Sequence, residues 1–107
     1  MTDSEYAQLA DNTLFAIEEA VENCSVDIDY ENNGGILTLT FANMSKIVIN
    51  RQPPVQQLWV ASKLGGFHFN YVAGQWVSDD KQATELFTVL SQLCSAQACE
   101  PVTLTSP

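Results

Sequence analysis

The stretch NRQPPVQQLWVA, residues 50–61, decides how the rest of the chain is read. Val55, Leu58, Val60 and Ala61 suit a strand that buries one face, and alternation then puts Trp59 with Gln57 on the other. Pro53 and Pro54 cannot donate to an interior ladder, so they mark the connection into this strand. A tryptophan beside glutamines is buried if the sheet is covered on both sides and exposed if it is covered on one. The flanking elements choose between these.

Upstream, apolar residues at Tyr6, Leu9, Ala10, Thr13, Ile17, Ala20, Val21 and Cys24 recur at helical spacing, which predicts an amphipathic helix over residues 4–24 capped by Ser4 or Asp3. From residue 26 the period changes to two, with Val26, Ile28 and Tyr30 opposite Asp27, Asp29 and Glu31. Asn32, Asn33, Gly34 and Gly35 form a turn, since Asn and Gly tolerate positive φ. Alternation resumes with Leu37, Leu39 and Phe41, and again with Ile47 and Ile49. Beyond the opening stretch, Gly65 and Gly66 turn the chain into Phe67, Phe69 and Tyr71, and a short apolar run follows at Trp76 and Val77. Asp79 or Asp80 is expected to cap a second helix over residues 82–96, with Ala83, Leu86, Phe87, Leu90 and Leu93 on its inner face. The tail, residues 97–107, is expected to pack loosely or to lie along the surface.

Short turns between consecutive strands require antiparallel pairing, and two terminal helices cover only one face of a sheet. The expected fold is therefore α+β: a two-layer α-β sandwich with both helices on one face of a five- to six-stranded antiparallel sheet spanning residues 26–78. At 107 residues the chain suits one domain, residues 1–107. Parity then answers the opening question: Leu58 and Val60 point to the helices, and Trp59 points outward and is exposed, with Asn50 and His68.

Thirteen acidic residues against four basic ones give a net charge of −9, which disfavours nucleic acid and anionic membranes and favours a cation or a basic protein surface. No apolar run approaches the roughly 20 residues of a membrane-spanning helix. The N-terminal MTDSEYAQLAD has no basic region followed by an apolar stretch, so a cytoplasmic protein is expected. Cys24, Cys94 and Cys99 match no zinc spacing and read as reduced thiols, with Cys24 and Cys94 packed where the helices present apolar residues.

Two constellations could carry function. Asp11, Glu18 and Glu22 fall on one helical stripe with Glu19 beside it, and Asp27, Asp29 and Glu31 share a strand face. Together they predict a carboxylate ridge whose hard oxygens suit hard cations in an open, poorly selective site. The outward sheet face offers Asn50, Gln52, Gln57, Trp59 and His68, with Arg51 near the strand end, in the mixture of aromatic and amide groups found at interface centres. No catalytic trio can be built around His68, the lone histidine, and no phosphate-cradling glycine motif is present.

After the acidic helix, NGGILTLTF, SKIVINRQPPVQQLWVA, GGFHF and ELFTVL occur in this order and resemble the frataxin family in its bacterial, CyaY-type branch. The resemblance runs from about residue 4 to residue 94. It implies weak, reversible binding of ferrous and ferric iron by Asp11, Glu18, Glu19, Glu22, Asp27, Asp29 and Glu31. It also implies docking of Asn50, Gln52 and Trp59 on a cysteine desulfurase and its iron-sulfur scaffold protein, by a regulator that is not an enzyme and is monomeric unless iron drives oligomers. The alternative is a ferroxidase or an iron-storage or iron-donor protein. The Glu-x-x-His spacing that ferritin-like oxidases use for a buried di-iron site is absent from the sequence.

Overall fold

Helix α1, Asp3–Asn23, starts one residue earlier than expected because Thr2, not Ser4 or Asp3, is its cap. The Thr2 hydroxyl accepts from the Glu5 backbone N–H at 3.0 Å, and the Glu5 carboxylate accepts from the Thr2 N–H at 2.9 Å, a reciprocal capping box. The bond from the Thr2 N–H chiefly holds the Glu5 carboxyl below the usual range. The buried stripe is Tyr6, Ala10, Leu14, Ile17 and Val21; Leu9, Ala20 and Cys24 lie at its margins, and Leu14 takes the deep position.

In the computed structural model, which describes residues 1–106, the strands are β1 Ile28–Asn33, β2 Ile36–Phe41, β3 Lys46–Gln52, β4 Gln57–Ser62, β5 Gly65–Val72 and β6 Gln75–Ser78. Each pairs antiparallel with the next, giving one six-stranded sheet in sequence order. The β1–β2 turn is tighter than expected: Asn32 and Asn33 stay in the strand, and only Gly34 and Gly35, at φ +61° and +88°, make the reversal. Val26 and Asp27 precede β1 and do not belong to it. A single 3₁₀ turn, Pro53–Val55, bridges β3 and β4.

Helix α2, Leu86–Ala98, begins four residues later than expected, and neither Asp79 nor Asp80 caps it. The Asp80 carboxylate is used locally, accepting from the Ser78 hydroxyl and from the N–H groups of Gln82 and Ala83, and the Ser78 contact chiefly holds it below the usual range. Ala83 sits at φ +46° on the surface, outside the helix. The chain instead stays extended long enough for Val77 to bridge Glu85, whose carboxylate caps α2 through Phe87 N–H and Thr88 N–H.

Both helices lie on one face of the sheet. Leu37, Leu39, Ile47, Ile49, Leu58, Val60 and Phe69 form the sheet side of one core, and α2 adds Leu86, Leu90, Leu93 and Cys94. Trp76 belongs to this core: its indole N–H donates to the Thr13 hydroxyl at 2.9 Å and its ring meets Tyr6 and Tyr71 edge-on. Gln97, assigned from sequence to the tail, is buried in the last turn of α2 and ties it to two turns, donating to the Ser45 hydroxyl and accepting from the Lys63 N–H. Among the described residues no helix is long and apolar enough to cross a membrane.

The tail does not pack loosely. Val102 and Leu104 are 5% and 3% exposed and join the core. Ser91 and Ser95, one turn apart on α2, accept from the N–H groups of Leu104 and Val102 and donate to their carbonyls. The alternation in Val102-Thr103-Leu104-Thr105, apolar in and hydroxyl out, was the signal for this strap.

Leu104→Ala is therefore expected to cost about 2–5 kcal/mol in urea unfolding, where a loose surface tail would change stability by less than about 0.5 kcal/mol. Burial, with Cys24 adding to it, pushes the Cys94 thiol up to about 12, so the unfolded chain, ionising near about 8.5, loses its proton first. Stability should fall as pH rises through that window. In the native protein a thiol reagent should modify exposed Cys99 at once and reach Cys94 only on unfolding.

Candidate functional site

Register builds the open face of the sheet. Across β2, β3, β4 and β5, Ile36, Asn50, Trp59 and His68 stand opposite one another in one row, and Gln52, Gln57 and Asn70 form the next. The Trp59 indole stacks on the His68 imidazole with centroids 4.2 Å apart and planes 11° from parallel. Its N–H donates to the Gln57 side-chain oxygen at 2.8 Å, and the Gln57 amide donates onward to Asn70 at 3.0 Å. The indole is thus fixed on both its face and its edge, and it is half-buried rather than fully exposed as expected. His68 stays open to water, with the Asp79 carboxylate 3.7 Å from its Nδ1.

The row is braced from behind. The Tyr6 hydroxyl, on α1, donates to the Gln57 carbonyl at 2.7 Å and accepts from the Gln52 N–H at 3.0 Å, which locks the β3–β4 end to the helix layer. Burial raises the Tyr6 phenol above its ordinary range, so it keeps its proton as donor. Nothing in the sequence pattern marks Tyr6 for this part. Asn70 was legible in principle, because it shares the parity of His68 on β5.

Arg51 does not belong to this face. It stands opposite Leu58, which faces the helices, so parity turns it to the helix side. There its guanidinium donates to Asp11 at 2.8 Å and lies over Gly35, where any added side chain would collide with it. The clip joins α1, the β1–β2 turn and β3.

The same parity divides the acidic ridge. On β1, Tyr30 and Asn32 face α1: the Tyr30 hydroxyl donates to Glu22 at 2.7 Å and the Asn32 amide donates to Glu18 at 3.1 Å. With Asp11 held by Arg51, all three residues of the helical stripe are pinned across the seam between helix and sheet. Donation to Glu22, reinforced by Glu18, raises the Tyr30 phenol. Asp29 and Glu31 lie on the other face of β1, paired in register with Thr40 and Thr38, and Glu31 accepts from Asn33. Glu19, Asp27 and Asp29 are exposed and have no side-chain partner among the described residues.

The predicted ligands therefore do not form one line. Glu22, Asp27 and Asp29 come together around an open depression of about 590 Å³ at the α1–β1 junction, with Cys24 and Tyr30 in its wall. Among the described residues no three His, Cys, Asp or Glu side chains converge into a group that could hold a metal ion. Scattered hard oxygens at a surface suit a hydrated cation held by few protein ligands.

Relatives of this chain share the architecture. The frataxin-like domain family matches residues 1–100, and the chain belongs to it. It is 48% identical over 102 residues to the iron-sulfur cluster assembly protein CyaY of Paraburkholderia xenovorans, covering 95% of this chain and 96% of that one. Among solved structures it is similar to a frataxin of the CyaY family from Psychromonas ingrahamii, with TM-score 0.90 and 42% identity over 99% of this chain and 100% of that one. It is also similar to a trimeric frataxin from Saccharomyces cerevisiae complexed with ferrous iron, with TM-score 0.60 and 29% identity over 92% of this chain and 86% of that one.

The two tryptophans should separate on truncation. Trp76→Ala empties a core position and is expected to cost about 3–5 kcal/mol in chemical unfolding, whereas Trp59→Ala loses one stack and one hydrogen bond at a wet surface, about 1–2 kcal/mol. Equal losses would place Trp59 in the core.

Proposed function

We propose that this protein is a non-enzymatic, iron-binding adaptor of iron-sulfur cluster assembly in the cytoplasm, docking on a cysteine desulfurase and its scaffold protein. The observation that carries the reading is Trp59, clamped by His68 and Gln57 on a sheet face that neither helix covers. A rigid aromatic held in place before contact loses little entropy on binding, and Trp, with Tyr and Arg, is enriched at the energetic centre of interfaces. The name of the Paraburkholderia relative supports cluster assembly, and the ferrous complex of the yeast structure supports iron as the cargo.

Asp11, Glu18, Glu19, Glu22, Asp27, Asp29 and Glu31 are read as the weak iron surface, with Glu19, Asp27 and Asp29 the most available. Asn50, Gln52, Gln57, Trp59 and His68 are read as the docking face, with Arg51 supporting them from behind. An open carboxylate surface fits an exchangeable cation better than the closed centre of an oxidase. The net charge of −9 favours a monomer until cations neutralise it, and the trimeric yeast frataxin supports an oligomeric form with iron.

Glu18 holds Asn32, so the clean test of the metal surface leaves it in place. Glu19→Lys with Asp29→Lys is expected to weaken ferrous iron binding while the melting temperature stays level or rises, because repulsion is relieved. In the parent, iron at a hundredfold excess over Kd should stabilise the fold by about 2.7 kcal/mol. An unchanged titration would reduce these carboxylates to a solvated surface. For docking, Trp59→Ala should raise the off-rate from the desulfurase complex and leave the salt slope intact, while the charge-reversed variant should lower the on-rate and flatten that slope.

A further inference from the structure

Phe15 lies near the middle of α1 and is 60% exposed, although the neighbouring Leu14 already fills the core at that turn. Single exposed apolar residues are common, but the setting of this one is unusual. Of the other large exposed apolar side chains, Met1 is terminal, Met44, Val55 and Leu64 fall at or between turns, and Ile36 and Val72 lie on strands. Phe15 alone among them stands within an α-helix, with Asp11 and Asn12 one turn before it and Glu18 and Glu19 one turn after. Phenylalanine is also a poorer helix former than the residues usual at solvated positions, so local stability gives no reason for it.

We propose that Phe15 is the apolar anchor of the acidic face of α1 and seats in an apolar pocket rimmed by lysine or arginine on a partner protein. Charge chooses the occupant. Without a cation to neutralise it, a second copy of this chain, carrying −9 and the same carboxylates, is repelled, and so is an anionic membrane. α1 itself carries no basic residue. A basic rim instead pairs with the carboxylates around Phe15 while the ring fills the dry centre, the arrangement of a buried anchor inside a ring of polar contacts. The inference rests on the docking reading above and deepens it. It adds a second anchor on the helix layer, separate from Trp59 on the open sheet, and takes the cysteine desulfurase as the basic partner.

The full chain and the purified desulfurase are to be compared by surface-binding kinetics at several salt concentrations, with circular dichroism and melting temperature confirming that each variant folds as the parent. Phe15→Ala is expected to dissociate at least tenfold faster, with its on-rate and salt slope unchanged and its melting temperature level or higher. Phe15→Leu should recover most of the loss. If Phe15→Ala dissociates like the parent while Glu19→Lys slows association, the acidic face docks without its aromatic and the anchor is overturned, though the docking reading stands. If neither variant nor Trp59→Ala alters binding, or the parent does not bind the desulfurase, the docking reading fails and the anchor falls with it.

Discussion

The fold depends on one inequality of coverage: two helices protect one face of a six-stranded sheet, and among the described residues the other face has no layer. Because strand side chains alternate strictly, this asymmetry assigns every residue of β2 to β5 to the core or to water. Leu58 and Val60 are buried with Leu37, Leu39, Ile47 and Ile49, which leaves Trp59, Asn50 and His68 no place but the open face. A slip of one residue in β4 would exchange the two sets, burying Trp59 with Gln57 and exposing Leu58 with Val60. Tyr6 opposes that slip by holding the backbone of both Gln52 and Gln57 through one hydroxyl.

The acidic residues of α1 are less idle than their charge suggests. Asp11, Glu18 and Glu22 each accept a hydrogen bond from the sheet layer, from Arg51, Asn32 and Tyr30. These contacts are solvated, and each contributes little to stability, on the order of 1 kcal/mol or less. Their effect is on position: they set which carboxylate oxygens remain turned to water. Protection of an edge strand accounts for part of the rest, since Asp29 and Glu31 on β1 discourage another chain from adding to the sheet.

Much of this was legible in the sequence because period two and period 3.6 are strong signals when one face is buried. The strands follow from alternation, their order from the short turns between them, and the outward position of Trp59 from two helices that cover one face. What was lost has identifiable physical causes. The start of α2 was misplaced because Asp80 satisfies its own neighbours' backbone and so imitates a helix cap without being one. The tail was misread because its alternation, Val102 and Leu104, is only two positions long. Arg51 was grouped with Asn50 and Gln52 by nearness in sequence, although parity puts it on the opposite side. The ridge was drawn as continuous for the same reason, since charge was counted without the strand alternation that separates Tyr30 and Asn32 from Asp29 and Glu31.

The placement of the two surfaces limits how they can communicate. β1 and β4 are three strands apart, which at normal spacing is about 14 Å, well beyond the screening length of about 8 Å at physiological ionic strength. A cation at the β1 edge therefore has little direct electrostatic hold on Trp59. The sheet between them is unbroken: β1, β2, β3 and β4 are continuously paired, and Arg51 clips β3 to α1 and to the turn at Gly35. A stiff sheet of this kind transmits position poorly unless it has a second arrangement to adopt. On the proposed reading, iron held at the edge would act on a partner touching α1 and β1, by neutralising charge where that contact is made, and would leave a partner touching only the open sheet face nearly unaffected.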